Sequence, residues 1–308
     1  KVSQILDERL LMGADLRLEV KLKKIINSTQ ITDFPVLSFP SSATPVVSII
    51  IPVYNQFSYT YICLASIMEN SSEVDYEVIL ADDCSDDLTL QVNDVVKNIR
   101  IIRTPKNYGF LKNCNYASSF ARGQYILFLN NDTQVQADWL IPMVRLMREN
   151  PDIGMTGSKL VYPDGRLQEA GGILWKDGSA WNYGNGSNPA LPEFCYVKEC
   201  DYISGASIMI RTTLWKQLGG FDERFTPAYC EDSDLAFMVR KAGYKVCYQP
   251  LSVVIHYEGL SNGVSISEGL KAYQRINQSK FYEKWKNELE KNHKPNGEDV
   301  FLARDRSQ

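Results

Sequence analysis

The stretch that decides the fold spans residues 125–132 and reads Tyr125-Ile126-Leu127-Phe128-Leu129-Asn130-Asn131-Asp132. An unbroken apolar run of this length is typical of a strand that is buried on both faces. The two amides and the carboxylate that follow it place polar groups where the strand ends. In open α/β sheets, ligands bind outside the carboxyl ends of the strands. We therefore predict a ligand site at this edge, with Asp132 as a ligand of a divalent cation rather than only an Asx-turn residue.

Predicted strands and helices alternate around this stretch. The strands cover residues 46–51, 76–81, 99–103 and 124–129, and the helices cover residues 59–69, 88–96, 112–121 and 138–149. Repeated strand–helix units predict an α/β fold with a parallel sheet. Pro52 cannot donate a backbone hydrogen bond, so we expect the first strand to end there.

The rest of the chain is less regular. Residues 152–200 are rich in Gly, Asn, Pro and Trp, which predicts short antiparallel strands and long loops that carry specificity. Further strands are predicted at 202–211, 245–248 and 253–256, and further helices at 3–26, 232–243 and 267–291. The proline-containing segment 33–45 predicts a linker. We expect three parts: a helix and linker over 1–44, an α/β domain over 45–265 and a helical extension over 266–308.

The composition and charge of the chain disfavour some classes of function. The chain has 308 residues, 44% of them hydrophobic, which is enough for a large core. The net charge is -4 and no basic stretch alternates with aromatic residues, so nucleic-acid binding is disfavoured. No apolar run approaches the ~20 residues of a membrane helix. We expect no integral membrane segment and a cytoplasmic location, with peripheral attachment to the inner face of the membrane left open. Seven cysteines without a Cys-x-x-Cys pair predict free thiols.

Several aspartates follow the second predicted strand, in the stretch Leu80-Ala81-Asp82-Asp83-Cys84-Ser85-Asp86-Asp87. A carboxylate at this place can accept a hydrogen bond from the imide N–H of uracil or thymine. Asp and Ser are also ordinary turn and helix-cap residues, so we expect some of the four to cap the next helix. No Gly-x-Gly-x-x-Gly follows either strand, which argues against a dinucleotide-binding domain.

The second acidic cluster, Glu231-Asp232-Ser233-Asp234, lies at the start of a predicted helix. The positive helix end favours an ionised carboxylate, which a general base requires, so Asp232 is the candidate base and capping is its alternative role. His256 ends an apolar run and is the candidate second metal ligand, because imidazole accepts Mn²⁺; a buried core histidine is the alternative. His293 lies in a charged tail and is expected to be solvated.

Together these motifs resemble glycosyltransferase family 2, the inverting nucleotide-sugar transferases with the GT-A fold. The matching pieces, in order, are Val47-Ser48-Ile49-Ile50-Ile51-Pro52-Val53-Tyr54-Asn55, Asp82-Asp83-Cys84-Ser85, Asn107-Tyr108-Gly109-Phe110, Asn130-Asn131-Asp132, Ser204-Gly205-Ala206, Gly219-Gly220-Phe221-Asp222, Glu231-Asp232-Ser233-Asp234-Leu235 and His256. The resemblance covers roughly residues 45–265. It implies a Rossmann-like, mostly parallel central sheet with flanking helices and a smaller antiparallel part on the acceptor side.

The resemblance also implies roles in donor binding. Pro52, Tyr54 and Asp83 would hold the uracil or thymine base. Asn131 would approach the ribose or the diphosphate.

On the reacting side, the resemblance implies that Asp132 is the last residue of an Asp-x-Asp-like motif. That motif reads Asn-Asn-Asp here, so His256 and the diphosphate gain importance as ligands of Mn²⁺ or Mg²⁺. Asp232 would deprotonate the acceptor hydroxyl, and Glu231 would touch the acceptor.

The expected function is inverting, non-processive transfer of a hexose or rhamnose from a UDP- or TDP-sugar to a hydroxyl of a glycan or glycoprotein. Bacterial enzymes that build surface polysaccharides or decorate adhesins are the closest in kind. No Gln-x-x-Arg-Trp stretch follows Asp234, whereas processive synthases of the family carry one. The alternative is a catalytically silent carbohydrate-binding or scaffolding domain of a larger glycosyltransferase. The sequence specifies neither the sugar, the acceptor nor the oligomeric state, although the terminal helices offer a homo-oligomer interface.

Overall fold

A computed structural model of the chain describes residues 25–257 and 273–307. The strands of the described residues are β1 (Leu37–Ser38), β2 (Val47–Val53), β3 (Tyr76–Asp82), β4 (Val96–Lys97), β5 (Arg100–Arg103), β6 (Tyr125–Leu129), β7 (Thr133–Val135), β8 (Ile153–Val161), β9 (Leu167–Glu169), β10 (Gly172–Leu174), β11 (Ala180–Asn182), β12 (Lys198–Glu199), β13 (Ser207–Arg211) and β14 (Lys245–His256). The helices are α1 (Phe57–Asn70), α2 (Val92–Val95), α3 (Phe110–Ser118), α4 (Leu140–Glu149), α5 (Thr212–Leu218), α6 (Glu231–Lys241), α7 (Tyr273–Asn292) and α8 (Val300–Ala303).

The central sheet has the strand order β12-β14-β8-β13-β6-β2-β3-β5, with β7 paired to β14 and β9 paired to β8. Strands β6, β2, β3 and β5 are parallel, and so are β8 and β14. Strand β13 is antiparallel to both of its neighbours, β8 and β6. Strands β10 and β11 form a separate antiparallel hairpin. The predicted α/β fold with a mostly parallel sheet and a smaller antiparallel part is confirmed.

Both faces of the sheet are covered by helices. In β2, Ile49 and Ile51 join the core on one face while Ile50 joins the core on the other. This explains why the strand reads as a continuous apolar run instead of alternating. Apolar residues of α1 and α4 pack on the first face, and those of α3, α5, α6 and α7 pack on the second.

Strand β2 continues through Pro52, contrary to the prediction that it ends there. Successive residues of a strand bond to alternate sides. The carbonyl of Val53 accepts a bond from Asp83 on the β3 side, so the nitrogen of Pro52 faces the β6 side. Pairing with β6 already ends at Ile50, so no ladder bond is lost there.

The section 152–200 is more regular at its start than predicted. Strand β8 is nine residues long, fully buried and central in the sheet, although its sequence contains two glycines and three other small or polar residues. The short strands and loops predicted for the rest of the section are found. The strand predicted over 202–211 is shorter, since it begins at Ser207. The two short strands predicted over 245–256 are one long strand, β14, with a register shift between Gln249 and Val253.

Two other predictions change in detail. The helix predicted over 88–96 is a 3-10 turn, Leu88–Gln91, followed by the four-residue helix α2. The segment predicted as a linker packs on the domain, because β1 pairs with β4 and Phe34 and Phe39 are buried.

The helix predicted over 3–26 lies almost entirely outside the described residues, and residues 267–272 of the C-terminal helix do as well. His293 is buried rather than solvated, which corrects its prediction: its ring stacks on Phe237 at 5.3 Å and its Nδ1 lies 2.7 Å from the carbonyl oxygen of Leu174. Within the described ranges, no helix is both long and apolar enough to cross a bilayer.

Candidate active site

A cavity of about 790 Å³ lies outside the carboxyl ends of β2, β3, β6 and β14. Its wall includes every residue predicted for the site: Pro52, Tyr54, Asp83, Asn131, Asp132, Glu231, Asp232 and His256. These residues come from segments up to two hundred positions apart. The topology of the sheet therefore brings together the side chains that the sequence analysis singled out.

The two residues predicted as metal ligands, Asp132 and His256, lie next to each other. Asp132 Oδ1 lies 3.3 Å from His256 Nε2, and both residues are at least nine-tenths buried. Antiparallel pairing of β14 with β7 holds them together, because His256 pairs with Thr133, the residue after Asp132. The backbone N–H of Tyr257 also donates to the carbonyl of Asp132.

Gln168, which no sequence motif indicated, contacts the other side of the His256 ring. Gln168 Oε1 lies 3.0 Å from His256 Nδ1. An amide oxygen only accepts, so Nδ1 carries the proton and donates to it. In the neutral ring Nε2 then carries the lone pair; it lies 3.4 Å from Asn130 Nδ2 and 3.3 Å from Asp132 Oδ1, and a lone pair in this place suits a metal ion.

This pair fits a divalent cation as two of its ligands. Carboxylate oxygen suits Mg²⁺ and Mn²⁺, and imidazole suits Mn²⁺. Among the residues that the structure describes, no group of three or more His, Cys, Asp or Glu side chains forms a metal site. The remaining positions would therefore be filled by substrate phosphate oxygens and water, as is common for Mg²⁺ sites.

Asp232 occupies the first turn of α6 but does not act as a conventional cap. Its Oδ2 accepts a hydrogen bond from the backbone N–H of Gly205 at 3.0 Å, and its Oδ1 accepts one from Ser233 at 2.6 Å. Burial raises the pKa of Asp232 above its ordinary range, and these hydrogen bonds oppose the shift. A carboxylate with a raised pKa is a stronger base, held in a fixed orientation by two backbone donors.

The neighbouring Glu231 has a different environment. Its carboxyl is buried, and its Oε2 has no hydrogen-bond partner within the described part of the chain. Burial, followed by the nearby charge of Asp232, raises the pKa of Glu231 to about 8. Burial and the charge of Asp232 therefore favour the protonated form of Glu231.

The sequence analysis also missed Glu169. This residue has no exposed surface, and its Oε1 accepts a hydrogen bond from the backbone N–H of Ser204 at 3.0 Å. Its Oε2 has no partner among the described residues. Burial, and then the charge of Asp232, raises the pKa of Glu169 to about 8. Nothing in the local sequence marks this glutamate, because its surroundings are assembled from distant loops.

The segment before α6 is held in an uncommon conformation. Tyr229 and Cys230 both have left-handed backbone angles, with φ of 76° and 69°, and both line the cavity. Such angles are uncommon for non-glycine residues and persist where surrounding contacts fix them. Asn277 of α7 supplies these contacts, since its Nδ2 lies 2.6 Å from the carbonyl oxygen of Phe225 and 2.7 Å from that of Ala228.

At the end of the cavity predicted to bind the nucleotide base, Asp83 already accepts several hydrogen bonds from the protein. Its Oδ1 accepts hydrogen bonds from Thr104 Oγ1 and the N–H of Tyr108, and its Oδ2 accepts one from the N–H of Gly109. A carboxylate has about four acceptor positions, so one remains for a nucleotide base. Asp83 therefore also fixes the loop that lines this end of the cavity.

The other residues predicted for the nucleotide lie beside it. Tyr54 is half exposed at the rim and Pro52 is buried in the wall. Asn131 is buried and donates from Nδ2 to Thr60 Oγ1 at 3.0 Å. One aspartate of the cluster after β3 is a cap, as predicted: Asp87 accepts from the N–H of Thr89 and also from that of Phe57 at the start of α1.

A doubly covered, mostly parallel sheet with such a cavity at its carboxyl edge is the architecture expected of a GT-A fold. The family profile of Glycosyl transferase family 2 matches residues 48–218. The chain belongs to this family of glycosyltransferases.

Curated relatives agree with this assignment. The chain is 32% identical over 238 residues to an uncharacterized protein, y4gI, of Sinorhizobium fredii, covering 73% of this chain and 26% of the relative. It is 28% identical over 236 residues to the O-antigen biosynthesis protein RfbC of Myxococcus xanthus, covering 72% and 18%. It is 31% identical over 216 residues to chondroitin synthase of Pasteurella multocida, covering 66% and 20%. The chain therefore spans about a quarter or less of the length of these relatives.

Solved structures show the same fold. GalNAc-T7 in complex with UDP, GalNAc and Mn²⁺ superposes with a TM-score of 0.63 at 16% identity, over 80% of this chain and 50% of that one. TarS of S. aureus (residues 1–349) in complex with UDP-GlcNAc gives a TM-score of 0.52 at 20% identity, over 72% and 61%. At these identities the likeness concerns the fold.

Proposed function

We propose that this chain is the catalytic domain of an inverting, non-processive glycosyltransferase that moves a sugar from a UDP- or TDP-sugar to a hydroxyl of a glycan or glycoprotein. The observation that carries the proposal is the meeting of the Asp132–His256 pair and Asp232 in the wall of one cavity. Similarity to the O-antigen protein RfbC supports a glycan acceptor, and the nucleotides bound by GalNAc-T7 and TarS support a UDP donor.

The chemistry follows from the residues present. The acceptor O–H transfers its proton to the carboxylate of Asp232 while the acceptor oxygen forms a bond to the anomeric carbon. The bond from that carbon to the diphosphate breaks, and the nucleoside diphosphate leaves with the electron pair. A single displacement of this kind inverts the configuration. Asp132 and His256 would hold Mn²⁺ or Mg²⁺, which neutralises the charge that develops on the leaving diphosphate.

The other site residues bind and orient. Pro52, Tyr54 and Asp83 would hold the base, and Asn131 would lie near the ribose or diphosphate. The protonated carboxyl of Glu231, which burial and the charge of Asp232 favour, would donate a hydrogen bond to an acceptor oxygen.

Donor binding is tested by thermal unfolding with UDP, TDP, GDP or CMP, each with and without Mn²⁺. A ligand present at 100 times its Kd stabilises the folded state by about 2.7 kcal/mol. We expect stabilisation by UDP or TDP that depends on Mn²⁺. Stabilisation by no nucleotide would contradict the proposal and favour a silent domain.

Catalysis is tested with Asp232→Asn. Turnover is measured as nucleoside diphosphate released from UDP-glucose, UDP-galactose, UDP-N-acetylglucosamine or TDP-rhamnose, with water or added bacterial polysaccharide as acceptor. Loss of the base should lower kcat by roughly 10²–10⁴-fold and leave UDP affinity unchanged. The matched control is Asp164→Asn, whose exposed carboxylate lies between β8 and β9 outside the cavity. Full activity of Asp232→Asn would exclude this residue as the base.

A further inference from the structure

Strand β9 lies behind both halves of the site. It pairs antiparallel with β8, where Glu169 is opposite Leu160. The register shifts between the pairs Leu160–Glu169 and Val161–Leu167, so Gln168 lies at a β-bulge, where a strand re-aims its side chains. Gln168 contacts His256, on the metal side, whereas Glu169 contacts the backbone of Ser204, on the side of the general base.

On the metal side, the contact made by Gln168 holds the imidazole ring of His256. The Gln168 amide oxygen accepts the Nδ1 proton of His256 at 3.0 Å, and the opposite ring nitrogen lies 3.3 Å from Asp132. A partner on the far nitrogen of a metal-ligating histidine sets both its tautomer and its orientation. Gln168 is 2% exposed and does not line the cavity, so it acts through His256 rather than on substrate.

On the side of the general base, Asp232, the contact made by Glu169 holds one backbone turn. The N–H of Ser204 donates to Glu169, and the next N–H along the chain, that of Gly205, donates to Asp232. The two carboxyl groups are therefore connected through consecutive backbone donors. A buried carboxyl group without a cationic partner costs stability, which calls for an explanation other than packing.

We infer that β9 is a positioning strand, in which Gln168 orients His256 as a metal ligand and Glu169 holds the Ser204–Gly205 turn that orients Asp232. The inference rests on the proposed function. It assigns two residues outside the cavity to two separate tasks, so that each can be removed without loss of the other.

The first arm of the test concerns Gln168. Mn²⁺ is titrated in the presence of UDP, and the free ion is measured by its electron paramagnetic resonance signal. Gln168→Leu removes the acceptor and should weaken Mn²⁺ binding by about 10- to 100-fold. Gln168→Glu keeps an acceptor at the same place and should bind Mn²⁺ like the wild type. Equal binding by the wild type and Gln168→Leu overturns this arm. A wild type that binds no Mn²⁺ contradicts the proposed function instead.

The second arm of the test concerns Glu169. Turnover is measured with whichever of the nucleotide-sugars named under the proposed function gives the highest rate. Glu169→Leu removes the acceptor for Ser204 and should lower kcat by about 10²-fold, with the donor KM and Mn²⁺ affinity unchanged. Glu169→Gln keeps an acceptor oxygen and should restore most of kcat. An unchanged kcat in Glu169→Leu overturns this arm.

Each variant is the control of the other, because the two residues are adjacent and similarly buried. Far-UV circular dichroism establishes that each variant is folded. Where a leucine variant does not fold, Gln168→Asn and Glu169→Asp replace it, since each withdraws the acceptor by one methylene and keeps the polarity. If both positions lower kcat and Mn²⁺ affinity to the same extent, their role is general structure and the inference is wrong.

Discussion

At the scale of single residues, the buried carboxyl of Glu169 should make the stability of the protein depend on pH. Its pKa rises from 4.5 to about 8 because of burial. The folded state thus holds the proton more tightly than the unfolded state, and the resulting stabilisation is present below about pH 4.5 and is lost as the pH rises through about 8.

Glu169→Gln cannot ionise and should escape this loss. The thermal unfolding midpoint of the variant, minus that of the wild type, should increase between pH 5 and pH 8 and then level off. Scanning calorimetry across that range measures it. Glu283→Gln, on the exposed side of α7, is the control and should show a constant difference. A constant difference for Glu169→Gln as well would mean that Glu169 is ionised in the folded state.

At the residue scale, the sequence located chemistry that lies at the ends of strands. Asp132 and His256 follow apolar runs, so their place at the rim could be predicted, and the structure brings them within 3.3 Å. Gln168 and Glu169 could not be predicted in the same way. Their partners, His256 and Ser204, are 88 and 35 positions away, and the contacts arise only when β9 pairs with β8.

At the level of elements, α7 and α6 are joined through a buried charge. Asp234 has a fully buried side chain, and it accepts hydrogen bonds from Lys284 Nζ and from Trp285 Nε1 at 2.7 Å. Lys284 also pairs with Asp222 at 2.8 Å. The helix therefore fixes the start of α6, two residues beyond the proposed base.

Lys284→Met should be strongly destabilising, because it leaves the Asp234 carboxylate buried with only the indole N–H. Removal of one partner from a buried pair costs roughly 3–5 kcal/mol in the free energy of unfolding. The control is Lys245→Met, whose partner Asp152 is about half exposed, as Lys245 is, so that its effect on stability should be small. Urea denaturation measures both. Equal effects would show that Asp234 is protonated and needs no cation.

The predicted strands were wrong mainly where neighbouring strands, rather than the local sequence, determine that a segment is extended. Gly157 and the polar residues of β8 weaken its strand pattern, yet β8 has neighbours on both sides. A Cβ at Gly157 would lie 1.9 Å from Ile203 Cγ2 and 2.8 Å from the carbonyl oxygen of Ser207. The glycine is thus required by close approach of another segment, a reason that periodicity does not record.

At the scale of the whole molecule, residues 304–306 pack against the section that runs from Tyr183 to Asp201. Arg306 pairs with the buried Asp201 at 2.6 Å, and its N–H donates to the carbonyl of Glu199 at 2.8 Å. Arg304 donates to the hydroxyl of Tyr183 at 2.7 Å. The predicted extension over 266–308 therefore packs on the α/β domain over much of its described length.

Removal of residues 295–308 should lower stability without loss of nucleotide binding. Asp201 would lose a charge-assisted hydrogen bond worth about 1.5–3 kcal/mol, whereas none of the described residues removed lines the cavity. Urea denaturation and the Mn²⁺-dependent UDP shift measure the two effects. Arg306→Ala should reproduce most of the loss, and Lys286→Ala, on the exposed face of α7, should not. A truncated protein that no longer binds UDP would show that the tail shapes the cavity itself.

The pairing of β9 with β8 also limits how this region can change in length during evolution. Residues 162–166 connect the two strands, and the backbone N–H of Tyr162 donates to the carbonyl of Arg166 at 2.8 Å. Insertion of a single residue there that shifted β9 by one position would bring the aliphatic Leu167 against His256 and the amide of Gln168 under the Ser204–Gly205 turn. Insertions and deletions in this connection should therefore be tolerated in pairs, and single ones should be eliminated by selection even where the protein still folds.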